Sequence, residues 1–484
     1  MPEQTPSFKP TLGLLDATMV VAGSMIGSGI FIVSTEMTTY LGSAGWLIFA
    51  WSLTGFLTLT AAVSYGELSA MFPKAGGQYV YLREAFNPLT GFLYGWSLFA
   101  VIQTGTIAAV GVAFSKFAAY IFPALGPKNM LIDFGITDPD NILLQAGFTG
   151  ISAAQIVSII LVILLTYINT KGVEAGKIIQ TTFTITKLLS LFGLIIFGLI
   201  LAANSGIWHA NWANAWDAKR LITGGTEGIS WERAAGTAVL PLFASALVGS
   251  VFSSDSWNNV TFIAGEIKRP EKNIGLSLIL GTLIVTAIYI ATNLMYLSVL
   301  DLNEIATAPD GRVSLAASLK IFGGAGTIVI AIMIMISTFG CNNGLILSGA
   351  RVYYTMARDG LFFKKTGRLN KNNVPAFALW IQCLWTCLLC MSGTYNQLLT
   401  YVVFVVLIFY VLTLIGIFVL RKKRPDLPRP YKAFGYPVLP VLYCIIALLI
   451  CGALFIYQPR QTWPGALIVL LGIPLYYFVV RSKK

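Results

Sequence analysis

The chain has 484 residues, of which 56% are hydrophobic and 11% charged, with a net charge of +12 and a mean hydropathy of +0.77. So little charge cannot cover the surface of a soluble domain, which excludes a water-soluble enzyme or binding module as the bulk of the molecule. The surplus of Lys and Arg lies in short loops between apolar runs, so it reads as attraction to anionic membrane lipid and not as a nucleic-acid surface.

A helix needs roughly 20 apolar residues to cross the hydrocarbon core, and backbone polar groups are satisfied in lipid only by helices or a closed barrel. The apolar runs here are continuous and do not alternate, so an all-α integral membrane protein with twelve transmembrane helices is expected. Spans one to five are expected at 14–41, 45–72, 88–121, 152–169 and 177–202. Spans six to ten follow at 236–265, 275–300, 323–357, 375–392 and 395–420, and the last two at 438–457 and 464–480. The opening MPEQTPSFKP is polar, and no short apolar run ending in small residues precedes the first span; no removable signal peptide is expected. With twelve crossings, 23 of the 32 Lys and Arg fall on the side of both termini and 8 on the other, with Lys187 inside the fifth span. That bias predicts a multi-pass protein of the cell membrane with both termini cytoplasmic.

The informative positions are those where a span stops looking like a membrane helix. The first span carries Gly23, Gly27 and Gly29 in its middle. They either let the backbone leave helical geometry or form a small-residue packing seam, since Gly23 and Gly27 make a GxxxG pair. The fifth span places Lys187 in TTFTITKLLSLFGL. Its ammonium either snorkels to the cytoplasmic surface or points at carbonyls freed in the first span, where it would take the place of a sodium ion or carry a proton. In the middle of the sixth span stand Ser253, Ser254, Asp255, Ser256, Trp257, Asn258 and Asn259 after Phe252. A carboxylate at mid-membrane costs about 2.5–3.5 kcal/mol and marks function by default; Asp255 is also a helix-capping residue type, so it could start a new half-helix near Ser256. Either way the sixth span is broken, and that favours a break in the first as well. Two interrupted spans in corresponding places of two halves are the best sequence pointer to a transporter's binding site. Half-helix amino ends would offer amides to a carboxylate, and the opposing ends would offer carbonyls to an ammonium; that combination suits a zwitterion.

The remaining signals are weak. Three of the six cysteines, Cys383, Cys387 and Cys390, share one helical face and read as small buried hydrophobes. His209 is the only histidine and no GxxxxGK[ST] loop occurs, which argues against histidine-based catalysis, multi-histidine metal sites and an ATP-driven pump. No enzyme activity, metal or cofactor is expected. The sequon at Asn259 lies within a span and reads as chance; Glu67 and Glu266, at the cytoplasmic ends of spans, read as structural caps or loop partners.

Several strings match a known family in order along nearly the full length. GSMIGSGIF from Gly23 resembles the first-helix signature of the amino acid–polyamine–organocation superfamily, and PKAGGQYVYLREAFNP from Pro73 resembles the loop after the second helix in its L-type amino acid transporter branch. Further matches are FSSDSWNNVTFIAGEIKRPEKNI from Phe252, STFGCNNGLILSGARVYYTMARDG from Ser337 and RPYKAFGYPVLP from Arg429. The resemblance implies the LeuT-type fold: an amino-terminal segment 1–13, a first repeat 14–203, an outer loop 204–235, an inverted second repeat 236–420, and two accessory helices with the tail at 421–484. It implies a substrate site at the two breaks, formed by Met25, Ile26, Gly27, Ser28, Gly29, Phe252, Ser253, Asp255, Ser256 and Trp257, with Asn343 of the eighth span nearby. Amides of Gly27, Ser28 and Gly29 would face the substrate carboxylate, carbonyls of Met25, Phe252 and Asp255 its amino group, and the Phe252 ring would be an outer gate. Lys187 matches the coupling lysine of sodium-independent members. Two departures stand out: Ser256 where the family often has glycine, which would shift preference toward small side chains, and Gly275 where many members have proline. Residues 122–147 hold no cysteine, so no disulfide-linked heavy subunit is expected. The function implied is sodium-independent exchange of neutral L-amino acids by alternating access. The alternatives are a proton-coupled symporter, with cationic amino acids accepted through Asp255, and a nutrient sensor on a transporter scaffold.

Overall fold

The computed structural model describes residues 10–135, 150–223, 229–391 and 395–481. Most of the amino-terminal segment, part of the 122–147 loop, Ser392 and the last three residues therefore lie outside the described residues.

The expected first span is two helices, α1 (Leu14–Met25) and α2 (Gly29–Leu41), bent by 40° at the intervening glycine-rich turn. After α3 (Ala44–Met71) comes a short, largely buried helix, α4 (Gln78–Ala85). The third span is built from α5 (Pro88–Ser97) and α6 (Gln103–Ile121), joined by a π-helical turn at Leu98–Ile102. The wide turn frees carbonyls, and side chains take them: Trp385 Nε1 on a distant helix donates to Ala100 at 2.9 Å, and Thr104 Oγ1, one turn on in the same span, to Phe99 at 2.7 Å. A strand pair, β1 (Met130–Asp133) and β2 (Gly150–Ser152), leads to α7 (Ala153–Thr170). Then follow α8 (Val173–Phe197), with Lys187 in its middle, and the short α9 (Ser205–Trp212). The 204–235 loop carries a hairpin, β3 (Lys219–Thr223) and β4 (Ile229–Arg233), and β3 packs on α2.

The sixth span also breaks. Helix α10 (Val239–Ser253) is followed by an irregular stretch and a single turn, α11 (Asn259–Phe262). Helix α12 (Pro270–Val299) begins five residues before the expected span, because Pro270 occupies the first helical position, where its missing N–H costs nothing. After α13 (Leu302–Ala306), α14 (Val313–Arg358) runs for 46 residues across a kink at Gly323, whose φ of 69° only glycine adopts easily. The kink falls at the residue where the eighth span is expected to start, and a partly buried helical stretch from Val313 is continuous before it. The chain ends with α15 (Ala376–Met391), α16 (Tyr395–Lys423), α17 (Val438–Tyr457) and α18 (Pro459–Arg481).

Among the described residues, ten helices are long and apolar enough to cross a membrane, and eleven if the bent α1–α2 pair is one span. The difference from twelve is the ninth expected span: α15 is apolar but has only 16 residues, about 24 Å of helix against a core of about 30 Å. Leu and Ile side chains ring the outside of α7, α8, α17 and α18, as lipid contact requires. The interior is drawn together at small residues. A side chain at Gly55 would meet Thr286, at Gly281 Val21, and at Gly249 Val33, so these glycines let α3, α12, α1, α10 and α2 approach closely. At the face where α1 begins, the backbone of Leu12 pairs with Ile267. Buried ion pairs close the same face: Glu67 accepts from Arg421 Nε and Nη2 at 2.9 and 2.7 Å and from the Ala433 amide, and Arg351 Nε donates to Glu266 at 3.0 Å. Glu67 and Glu266 are thus loop and helix partners.

Candidate functional site

A helix leaves its last four carbonyls unpaired, and at the end of α1 each finds a partner. The Ala22 carbonyl keeps the Ile26 amide at 2.9 Å. Lys187 Nζ, fully buried on α8, donates to Gly23 at 2.7 Å and to Ile26, in the turn, at 2.8 Å. Cys341 Sγ on α14 approaches the Ser24 carbonyl at 3.4 Å. Met25 accepts from the Gly27 amide at 2.8 Å and from the Tyr289 hydroxyl at 2.9 Å. An ammonium and two tertiary side chains therefore complete a helix end that would be intolerable in lipid. The lysine does not run to the surface.

Across the break, Ser28 precedes α2 with no capping bond from its side chain; its hydroxyl lies 3.1 Å from that of Tyr395. No described hydrogen bond engages the Ser28 or Gly29 amides, which stand at the positive end of α2. Of the three amides expected to face a carboxylate, that of Gly27 is already turned onto Met25. A side chain at Gly29 would overlap Ser253, and one at Gly27 would press within 3.0 Å of Cys341 Sγ. Here the absence of a side chain lets the two breaks touch.

At the second break the Asp255 amide returns to the Phe252 carbonyl at 3.1 Å, and Ser256 adopts a left-handed φ of 66°. Glycine takes that conformation without cost, whereas a serine is held there at about 1–2 kcal/mol. The Asp255 carboxylate does not cap a half-helix: it accepts from Tyr410 Oη on α16 at 2.5 Å, and α11 begins at Asn259 without a side-chain cap. Tyr289 Oη is also 3.0 Å from the Ser253 carbonyl. One hydroxyl proton serves either Met25 or Ser253 at a time, so Tyr289 ties the two breaks together. Trp257 is buried edge-on to Tyr65 (centroids 4.7 Å apart) and tilted over Tyr410 at 5.3 Å.

The structure thus brings Met25, Ile26, Gly27, Ser28, Gly29, Phe252, Ser253, Asp255, Ser256, Trp257 and Lys187 into one region. The Phe252 ring is edge-on to Tyr395, 6.2 Å between centroids. The carbonyls of Met25 and Phe252 are occupied by Tyr289 and the Asp255 amide. Asn343 is elsewhere: its Oδ1 accepts from Asn169 Nδ2 on α7 at 2.8 Å. Two residues along a helix turn about 200°, so Cys341, and not Asn343, is the α14 residue at the first break. Tyr289, Tyr395, Tyr410 and Cys341 escaped sequence reasoning; the available signal was a hydroxyl or thiol midway along an apolar span.

A model of the amino acid permease family matches residues 12–480 of the chain. The chain belongs to the amino acid permease family. It is an L-type-like member of the amino acid–polyamine–organocation superfamily. The permease is similar to the serine/threonine exchanger SteT of Bacillus subtilis, 31% identical over 479 residues that cover 98% of each chain. It is also similar to the human large neutral amino acids transporter small subunit 2, 28% identical over 98% of this chain and 81% of that one. The human b(0,+)-type amino acid transporter 1 is 27% identical over 99% of the permease and 90% of its own length.

Proposed function

We propose that the permease moves neutral L-amino acids across the cell membrane by alternating access, independently of sodium and as an exchanger. The observation that carries this reading is Lys187 Nζ at 2.7 and 2.8 Å from the Gly23 and Ile26 carbonyls. A fixed ammonium fills the place where a sodium ion would meet the same oxygens, so the broken helix is charged without a coupling ion. The Ser28 and Gly29 amides supply the carboxylate end of the site. The facing carbonyls supply the ammonium end once Tyr289 and the Asp255 amide release them. Partial charges bind a zwitterion at both ends and still let it leave, as transport demands. The Phe252–Tyr395 ring pair closes one approach and the Asp255–Tyr410 pair the other, a geometry that suits a central site alternately opened to either side. The names of the relatives support the substrate class and, in SteT, the exchange mode.

The same reading takes α15 as a short twelfth crossing, residues 14–203 and 236–420 as inverted repeats, and 421–484 as the accessory pair with the tail. Both termini are cytoplasmic, lipid is the surrounding partner, and no disulfide-linked heavy subunit is required. The test is uptake of labelled serine, alanine and leucine into proteoliposomes in sodium-free buffer, with and without unlabelled amino acid inside. Uptake at least tenfold faster into loaded vesicles is expected. Equal uptake into empty vesicles would replace exchange by net, proton-coupled transport.

A further inference from the structure

On the face opposite the Glu67 and Glu266 pairs, a cavity of about 470 Å³ descends along α2, lined by Thr35, Glu36, Lys116, Arg220 and Asp310 among others. Its charges are of both signs. Asp310 is paired with Arg312 at 2.8 Å, but among the described residues Glu36, Lys116 and Arg220 make no ion pair within 4.0 Å. The Lys116 ammonium has one long contact, 3.4 Å to the Asp310 carbonyl, and lies 5.2 Å above the ring of Tyr395. That ring is the one edge-on to Phe252, and its hydroxyl meets Ser28. Lys116 therefore stands directly over the closed approach to the Ser28 and Gly29 amides. An acid and two bases around one polar cavity match the two ends of an α-amino acid. Glu36 has the Tyr40 hydroxyl as a hydrogen-bond partner, but no ion pair within the cavity has to be broken before Glu36, Lys116 or Arg220 meets a ligand charge.

We propose that this vestibule is an outer binding site for the amino acid zwitterion, in which Lys116 and Arg220 receive the α-carboxylate and Glu36 the α-ammonium before the Phe252–Tyr395 pair opens. The inference rests on the reading of the chain as an amino acid transporter and adds to it a second site, used from one side only. A substrate with an additional positive charge meets Lys116 and Arg220 at the entrance, so the vestibule selects against cationic amino acids on entry and not on exit.

The test separates the two sides: KM for entry in intact cells, and KM from the other side in inside-out vesicles of the same cells. In Lys116→Gln the outer KM for serine rises about fivefold, the size of one half-exposed charge contact, the inner KM stays within twofold, and entry of arginine relative to serine increases. Lys116→Arg keeps the wild-type values. If Lys116→Gln fails to reach the membrane, Glu36→Gln answers the same question by the same one-sided rise. Unchanged outer KM, or an equal rise on both sides, overturns the outer site while leaving the transporter reading intact. Absence of amino acid uptake by the wild type from either side overturns that reading, and the vestibule's ligand with it.

Discussion

Lys187 is the buried charge that meets the break in the first span. Its two charge-assisted bonds to Gly23 and Ile26 contribute about 1.5–3 kcal/mol each, and no other described side chain reaches those carbonyls. Removing the ammonium leaves two buried acceptors at the end of α1 and alters the field at the neighbouring α2 amides. Lys187→Ala is therefore expected to slow exchange at least tenfold with the protein still inserted, measured as initial uptake into loaded proteoliposomes. Retained transport with an unchanged pH profile would remove Lys187 from coupling. This residue was visible in the sequence, since a lysine within an apolar span is conspicuous. Its target was not: snorkelling and an inward contact predict the same sequence, and only the position of α8 against α1 separates them. Tyr289 shows the reverse case. A tyrosine in an apolar run attracts no notice, yet its hydroxyl reaches carbonyls from both breaks.

The elements were legible where composition interrupts them. Three glycines in the first span and a carboxylate among serines and asparagines in the sixth marked both breaks correctly. Asp255 was also readable as a helix cap because the residue type favours one. In the folded protein the Tyr410 hydroxyl competes for the same carboxylate, and no adjoining helix forms for it to cap. The segment after the break is anchored instead by Glu266 on Arg351 of α14, a pair in which the arginine is fully buried. Removing one partner of such a pair typically costs about 3–5 kcal/mol, since the remaining charge loses its counterpart in a poorly solvated place. Glu266→Gln should lower the melting temperature in detergent clearly. The double variant Glu266→Gln with Arg351→Met should recover much of that loss, because no unmatched charge then remains; a double variant as unstable as the single one would contradict the account.

For the whole molecule the decisive quantity is the distribution of basic residues, since the electrostatic bias acts on complete loops during insertion. Placed by the helices, Lys74, Lys171, Lys268 and Lys371 belong to one face, and Lys116, Lys128 and Arg220 to the other. Single cysteines replacing Lys74 and Lys128 in a cysteine-free background should react oppositely with a membrane-impermeant thiol reagent. In intact cells the 128 position is labelled and the 74 position is protected until the membrane is permeabilised. Equal labelling of both would contradict the orientation.

The sequence by itself determined that this chain lives in a membrane, roughly where its helices run, and that two of them are interrupted. Each of these follows from local composition, through apolar length and through residues that a lipid-facing helix cannot hold. Tertiary structure decided what those interruptions do. It assigned Lys187, Cys341 and Tyr289 to the carbonyls at the end of α1, sent Asn343 to Asn169, turned the Gly27 amide onto Met25, and gathered Glu36, Lys116 and Arg220 around one cavity. These are contacts between helices far apart in the chain, set by how small residues let them approach. No local pattern carries that information, because the same side chain on the same helix meets a different partner when the neighbour is rotated by one residue.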